Sequence, residues 1–336
     1  MKTVLSIQNL TVAYKTRRGT ACGVNNVSLD LEENKTLGLA GESGCGKSTL
    51  GRAIVRLVPY PGRIVSGDIF LDIDRDITYP SGIVNEGLTN LMDLTEDEMR
   101  ALRGEEIAYI FQDPMISLNP MKTIGSHFLE LMKAHYPAMD KEAAMSRAEE
   151  ILDSLGILSK RINDYPHQFS GGMRQRVMIG LGLALRPRLL IADEPTTSLD
   201  VIVEAQILQQ IAQLKEQFNL TMMLITHNLG VLAQTADSIA IMYAGRIVEV
   251  ADTLSLFEHP RHPYTKALLE SVPDVTKPEK RLCCIPGVPP DLIQPISGCP
   301  YGLRCTQAME ICSRVEPLLV RTDAGGLVAC HVYQGD

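Results

Sequence analysis

Residues 36–49 read TLGLAGESGCGKST. Five residues suited to a buried strand run into a glycine-rich turn in which Gly41 is followed, after four residues, by Gly46, Lys47 and Ser48. This is the phosphate-binding loop pattern in its proper strand-to-helix context. Glycines let the backbone curl so that its N–H groups face an anion, and the helix that follows adds its positive end. In such a loop Lys47 reaches the β- and γ-phosphates and Ser48 offers its hydroxyl to Mg²⁺. A plain glycine turn accounts for the glycines but not for the Lys-Ser pair beside them. Ser43, Gly44, Cys45, Gly46, Lys47, Ser48 and Thr49 are therefore the candidate contacts to ATP, with Cys45 acting through its backbone.

Outward from this loop, short apolar runs alternate with longer stretches of helical period, the pattern of a mainly parallel sheet covered by helices. IAYIF (107–111), LLIAD (189–193) and MMLIT (222–226) are further strands of that sheet. IAIMYAGRIVEVA (239–251) reads as two strands around an Ala-Gly turn, a hairpin that closes the sheet edge. Residues 72–103 read as a polar, irregular surface excursion carrying a short acidic helix, LTEDEMRALR. A helical insert separates the second and third apolar runs. Within it Asp140 caps a helix whose Ala148, Ile151, Leu152 and Leu155 share one face before Gly156 stops it.

Two further motifs complete a nucleotide site. The strand LLIAD delivers Asp193 to the carboxyl edge of the sheet, where ligands of open α/β folds bind and where this carboxylate holds Mg²⁺ through water. Glu194 follows directly and is suited to polarise an attacking water as general base. In FSGGMRQR (169–176), Ser170, Gly171 and Gly172 present backbone N–H groups where a second helix begins, which makes a second anion site. One nucleotide does not need two helix N-termini from distant parts of one chain unless two copies of the domain face each other. The inference is a head-to-tail dimer with ATP between the loop of one subunit and the SGG turn of the other.

Composition fits this reading. At about 150 residues per domain, a chain of 336 residues has room for two, and 45% hydrophobic with 21% charged residues is a globular composition. A formal charge of −8 lacks the basic excess expected of a nucleic-acid binder, so no nucleic-acid partner is expected. No apolar run approaches the ~18–20 residues of a membrane span, and MKTVLSIQNLTV alternates like a strand rather than reading as a signal peptide. The default compartment is the cytosol, where cysteines are read as packing residues, thiols or metal ligands rather than disulfides. Six of the eight cysteines and ten of the nineteen prolines lie beyond residue 250, which sets a domain boundary near Ala251.

In this order and spacing the motifs resemble the nucleotide-binding subunit of ATP-binding cassette (ABC) transporters, over residues 1 to about 255. The resemblance implies an α/β fold of the ABC type: residues 1–255 as a RecA-like core with a mainly parallel sheet, an antiparallel β portion and a helical subdomain at about 113–185. By the same resemblance Tyr14 is the aromatic on which adenine stacks, and Gln112 in FQDP joins Ser48 and Asp193 around Mg²⁺ and senses the γ-phosphate. Ser198-Leu199-Asp200 becomes the inter-subunit loop, with Asp200 joining Ser170, Gly171 and Gly172 in contact with ATP in trans. His227 matches the switch histidine and, with Glu194, forms the catalytic pair. The family signature usually reads LSGGQ; Phe169 keeps the apolar first place, whereas Met173 replaces an amide in the last.

The segments EHPRHPYTKALLESVP (258–273) and IPGVPPDL (285–292) resemble the C-terminal extension of ATPase subunits from oligopeptide, dipeptide and nickel importers, here over residues 256–336. That resemblance implies an ATPase that drives uptake of di- or oligopeptides from the cytoplasmic face of the inner membrane. Its partners would be a paralogous ATPase in a heterodimer, two transmembrane permeases and an extracytoplasmic binding protein. Nickel, haem-like or oligosaccharide cargo, and a soluble ABC ATPase, are the alternatives. His259 and His262 lie in the proline-rich part and read as structural.

Cys299, Cys305, Cys312 and Cys330 form a C-x5-C-x6-C-x17-C set. Four thiolates suit tetrahedral zinc or a [4Fe-4S] cube, and the lack of a C-x2-C knuckle argues against zinc. The SGCP, RC, C and CH segments resemble those of dipeptide-importer ATPases, which implies a [4Fe-4S] cluster, with zinc or free thiols as the alternatives and His331 as a substitute ligand. Cys283 and Cys284 read as thiols.

Overall fold

The computed structural model describes residues 2–113, 117–196, 200–271, 285–294, 296–323 and 325–334. Ser198, Leu199, Cys283 and Cys284 lie outside the described residues. In chain order the elements are β1 (Thr3–Thr16), β2 (Gly19–Glu32), β3 (Thr36–Ala40), α1 (Lys47–Ile54), β4 (Gly62–Ile73), β5 (Ile77–Tyr79), β6 (Gly82–Val84), β7 (Gly87–Asn90), α2 (Glu96–Glu105) and β8 (Ile107–Ile110). There follow α3 (Ile124–His135), α4 (Lys141–Ser154), α5 (Gly171–Leu183), β9 (Leu189–Asp193), α6 (Val201–Phe218), β10 (Thr221–Ile225) and α7 (Leu229–Thr235). The chain continues through β11 (Ser238–Tyr243), β12 (Arg246–Asp252), α8 (Thr253–Glu258), α9 (Pro263–Glu270), β13 (Val320–Arg321) and β14 (Leu327–Val328). None of the described helices is long and apolar enough to cross a membrane.

The chain divides into two compact units. The first comprises Met1–Leu5, Leu31–Asn34 and Phe70–Met223. In it β8 and β9 pair in parallel, Ile107 opposite Leu189, and β9 lies between β8 and β10. Every residue of β9 is buried, as expected of a strand covered on both faces. Asp140 caps α4 by accepting from the Glu142 N–H, Ala148, Leu152 and Leu155 are fully buried, and Gly156 takes the left-handed conformation (φ +70°) that ends the helix. Ala148 and Leu152 join Phe128, Met132 and Phe169 in a core formed by α3, α4 and α5.

Residues 72–103 are not irregular. Ile77–Tyr79 and Gly82–Val84 pair as an antiparallel ribbon, Gly87–Asn90 pairs with the end of β4, and Thr95 forms a capping box with Glu98 at the start of α2. Strands of three and four residues are too short to show a period of two, so sequence pattern alone misses them.

The second unit comprises Ser6–Asp30, Lys35–Ile69 and Leu224–Asp336. Its sheet runs β13-β14-β12-β11-β3, with β3 and β11 parallel. The β11–β12 hairpin turns at Ala244 and Gly245, both with positive φ (+48° and +81°). It does not close the sheet edge. Val328 of β14 pairs opposite Glu249 of β12, and β13 adds outside it. A two-residue strand some 70 residues downstream (after Asp252) carries no local signal that it will extend the hairpin.

Glu106, directly before β8, is 1% exposed, and its Oε2 has no hydrogen-bond partner. Burial, then the Asp74 carboxylate, push its carboxyl up from 4.5 to about 7. The folded chain therefore keeps a proton that the unfolded chain releases above 4.5, so this group's contribution to stability falls as pH rises from about 4.5 to about 7. Glu106→Gln, neutral throughout, is expected to match the wild type in thermal melts near pH 4.5 and to melt higher above pH 7; equal melting temperatures across the range would refute this.

Candidate active site

In the second unit β3 ends in the phosphate loop and α1 begins at Lys47. All five residues of β3 are buried. The loop requires glycine for two reasons. Gly41 (φ +153°) and Gly46 (φ +111°) lie in the left-handed half of φ space, and a Cβ on either would strike backbone, the Met242 carbonyl at Gly41 and the Gly23 carbonyl at Gly46. Gly46 occupies the N-cap position of α1, and no side chain caps this helix. The first-turn N–H groups, which have no intrahelical acceptor, are thus left to an anion.

Lys47 is 5% exposed. Its Nζ donates to the Gly41 carbonyl at 2.8 Å, the Glu42 carbonyl at 3.1 Å and Cys45 Sγ at 3.8 Å. The ammonium is therefore held over the mouth of the loop by the loop's own backbone. Cys45 is buried, and burial pushes its thiol up. Tyr14 shares a hydrogen bond with Thr49 Oγ1 at 3.2 Å, and its ring edges lie over Gly23 and Gly62. His227 is exposed, just beyond β10 and before Asn228, the cap of α7.

In the first unit β8 and β9 lie side by side and place their ends together. Asp193, fully buried at the end of β9, accepts a hydrogen bond from the Tyr109 hydroxyl of β8 at 2.7 Å. Glu194 follows in a left-handed conformation (φ +47°) that a residue with a side chain adopts at a cost, which turns its carboxylate off the strand line. Gln112 Nε2 donates to Glu194 Oε2 at 2.7 Å. The structure thus brings Gln112, Asp193 and Glu194 into one cluster and adds Tyr109. The signal for Tyr109 was an aromatic with a polar tip in the otherwise apolar strand IAYIF, adjacent to the strand that ends in Asp193.

The signature turn lies at the start of α5. Ser170 is exposed, and its Oγ accepts from the Met173 N–H at 3.4 Å. Gly171 and Gly172 occupy the first turn, where N–H groups have no intrahelical acceptor. Phe169 is buried beneath the turn with the Arg161 guanidinium 4.1 Å over its ring. Met173 has its own role: its sulfur accepts from Arg161 Nη1 at 3.3 Å, tying the turn to the preceding 3₁₀ segment. Asp200 is exposed and caps α6, accepting from the Val203 N–H at 2.9 Å.

The tail cysteines share a pattern. Each sulfur accepts a backbone N–H: Cys299 from Tyr301, Cys305 from Gln307 at 3.3 Å, Cys312 from Met309 at 3.5 Å and Cys330 from Val332. Burial, opposed by the Tyr301 N–H and reinforced by the three neighbouring thiols, raises Cys299 to about 11. No compact group of three or more metal donors forms among the described residues. His331 Nε2 lies 2.8 Å from the Val315 carbonyl and serves as donor to it. His262 is buried, caps α9 through Nδ1, and is lowered by burial to about 4, so it is a neutral structural residue.

The sequence matches the family described as ABC transporter over residues 24–197 and the oligopeptide/dipeptide transporter C-terminal region over residues 248–312. It is 43% identical over 328 residues to the dipeptide transport ATP-binding protein DppD of Bacillus subtilis, spanning 96% of this chain and 93% of that protein. It is 41% identical over 332 residues to the oligopeptide transport ATP-binding protein OppD of Haemophilus influenzae, spanning 98% and 97%. A dimeric, post-hydrolysis structure of the ATP-binding cassette MJ0796 bound to ADP and Pi aligns with a TM-score of 0.63 and 27% identity, over 74% of this chain and 98% of that one. The fold is that of an ATP-binding cassette, a nucleotide-hydrolysing module. The chain belongs to the ABC transporter ATPase family, in the branch that carries the oligopeptide/dipeptide transporter C-terminal region.

A hydrogen bond to a charged acceptor contributes about 1.5–3 kcal/mol. Tyr109→Phe removes one from Asp193 and is expected to raise the Mg²⁺ concentration for half-maximal ATP hydrolysis by roughly tenfold; an unchanged Mg²⁺ titration would show that Tyr109 does not position Asp193.

Proposed function

We propose that the chain is the ATP-hydrolysing subunit of a di- or oligopeptide importer, working as one half of a head-to-tail cassette dimer. The observation that carries this is the uncapped α1 N-terminus behind a glycine loop with Lys47 folded over it, and the Gln112–Asp193–Glu194 cluster is its second support. In this reading the loop from Ser43 to Thr49 binds the phosphates of ATP, Tyr14 meets the adenine, and Mg²⁺ falls to Ser48, Gln112 and Asp193. Glu194 takes a proton from the attacking water, and its hydrogen bond from Gln112 aims the carboxylate. His227 contacts the γ-phosphate. Ser170, Gly171, Gly172 and Asp200 serve the ATP of the opposing cassette; the exposure of Ser170 and Asp200 supports that assignment.

Residues 1–255 form the cassette and 256–336 the importer-type extension. The partners are a paralogous ATPase, two transmembrane permeases and an extracytoplasmic binding protein, with the chain seated at the cytoplasmic face of the membrane. The names of the relatives, DppD and OppD, favour peptide cargo over nickel, haem-like or oligosaccharide cargo.

Cys299, Cys305, Cys312 and Cys330 would hold a [4Fe-4S] cluster, with zinc as the alternative. Two features support a fit: each sulfur accepts a backbone N–H, and Cys299 lies within electrostatic reach of the other three. A cluster would supply a fourfold staple to a segment with little apolar core.

Glu194→Gln in the purified transporter is expected to bind ATP with a loss of turnover of at least about 100-fold, and normal turnover would reject the role. Anaerobically purified protein is expected to be brown, with about four iron and four sulfide per chain; one zinc and no iron would assign the site to zinc instead.

A further inference from the structure

Within the second unit, the phosphate loop is held from the cysteine-rich tail. Arg304, the residue before Cys305, has a buried side chain, 5% exposed. Its guanidinium forks onto the carboxylate of Glu42, the second residue of the loop: Nη1 donates to Oε2 at 2.7 Å and Nη2 to Oε1 at 2.9 Å. Nη1 also meets the Tyr243 hydroxyl at 3.2 Å, and Nε donates to the Pro286 carbonyl at 2.8 Å. Most of the guanidinium's donors are thus spent, and its position is determined by four acceptors on three segments.

Glu42 is also held through its backbone. Its N–H donates to the Tyr264 hydroxyl at 2.9 Å, and its carbonyl is one of the acceptors that hold Lys47. Tyr243, Tyr264 and Tyr301 are all buried and pack ring against ring with centroids 4.6–5.3 Å apart. A planar fork on a carboxylate fixes orientation as well as distance, which a lysine cannot do. Arg304 therefore sets the direction of the Glu42 peptide, and with it the carbonyl under Lys47 and the start of the amide ring that faces phosphate. It also neutralises a carboxylate on the loop that receives a polyanion.

We propose that Arg304 is a positioning residue for ATP binding, acting through Glu42, so that the tail is part of the nucleotide site's supporting structure. This rests on the ATPase reading above. The test uses the full-length chain in its assembled transporter, measuring equilibrium binding of MgATP together with KM and kcat. Arg304→Gln is expected to weaken MgATP binding and raise KM about tenfold while kcat changes less than twofold. Adding Glu42→Gln to it removes the unpaired carboxylate and is expected to restore most of the affinity, and Arg304→Lys, which keeps the charge but loses the fork, is expected to fall between. A purely structural role predicts additive losses in the double variant and a lower kcat, and either would overturn the proposal. So would wild-type affinity in Arg304→Gln. If Arg304→Gln does not fold, wild-type affinity in a folded Arg304→Lys overturns it equally. Should wild-type protein itself show no saturable MgATP binding, the ATPase reading fails and this proposal with it; wild-type binding with an unaffected variant removes this proposal alone.

Discussion

A buried lysine ammonium over an uncapped helix N-terminus is the constraint on which the phosphate site depends. Lys47 lies out of water with the carbonyls of Gly41 and Glu42 as its acceptors, and those carbonyls point inward only because the loop turns through left-handed glycines. A side chain at Gly41 or Gly46 would collide with neighbouring backbone, so the loop cannot relax to a more ordinary turn. The result is a concentration of donors with no side chain to quench them, a site organised before any anion arrives.

The two carboxylates at the end of β9 obey a different constraint. Asp193 is fully buried and gains a hydroxyl from the neighbouring strand, which offsets part of the cost of holding its charge away from water. Glu194, one residue on, leaves the strand through a strained backbone conformation and faces Gln112. Two adjacent carboxylates thereby occupy different environments, one fully buried and the other partly exposed.

The tail is tied into the second unit through backbone, charge and ring contacts. β14 extends the sheet beyond β12, Arg304 pairs with Glu42, and Tyr301 completes a ring cluster with Tyr243 and Tyr264. The four cysteines bracket Arg304 in the chain, and the N–H groups directed at their sulfurs shape the turns that present it.

The loop Gly41–Ser48, the strands β3, β8, β9 and β10, the capped helix at Asp140 and the SGG turn were legible in the sequence. Each is a local pattern of apolar period, glycine, cap and charge that needs only a few adjacent residues. The ribbon at residues 77–84, the sheet edge built by β13 and β14, the hydroxyl of Tyr109 on Asp193 and the bond between Arg304 and Glu42 were decided by tertiary structure alone. Their partners are set by chain reversals and strand adjacency across as many as 262 residues, and no periodicity in one dimension encodes which distant side chain will meet a given carboxylate.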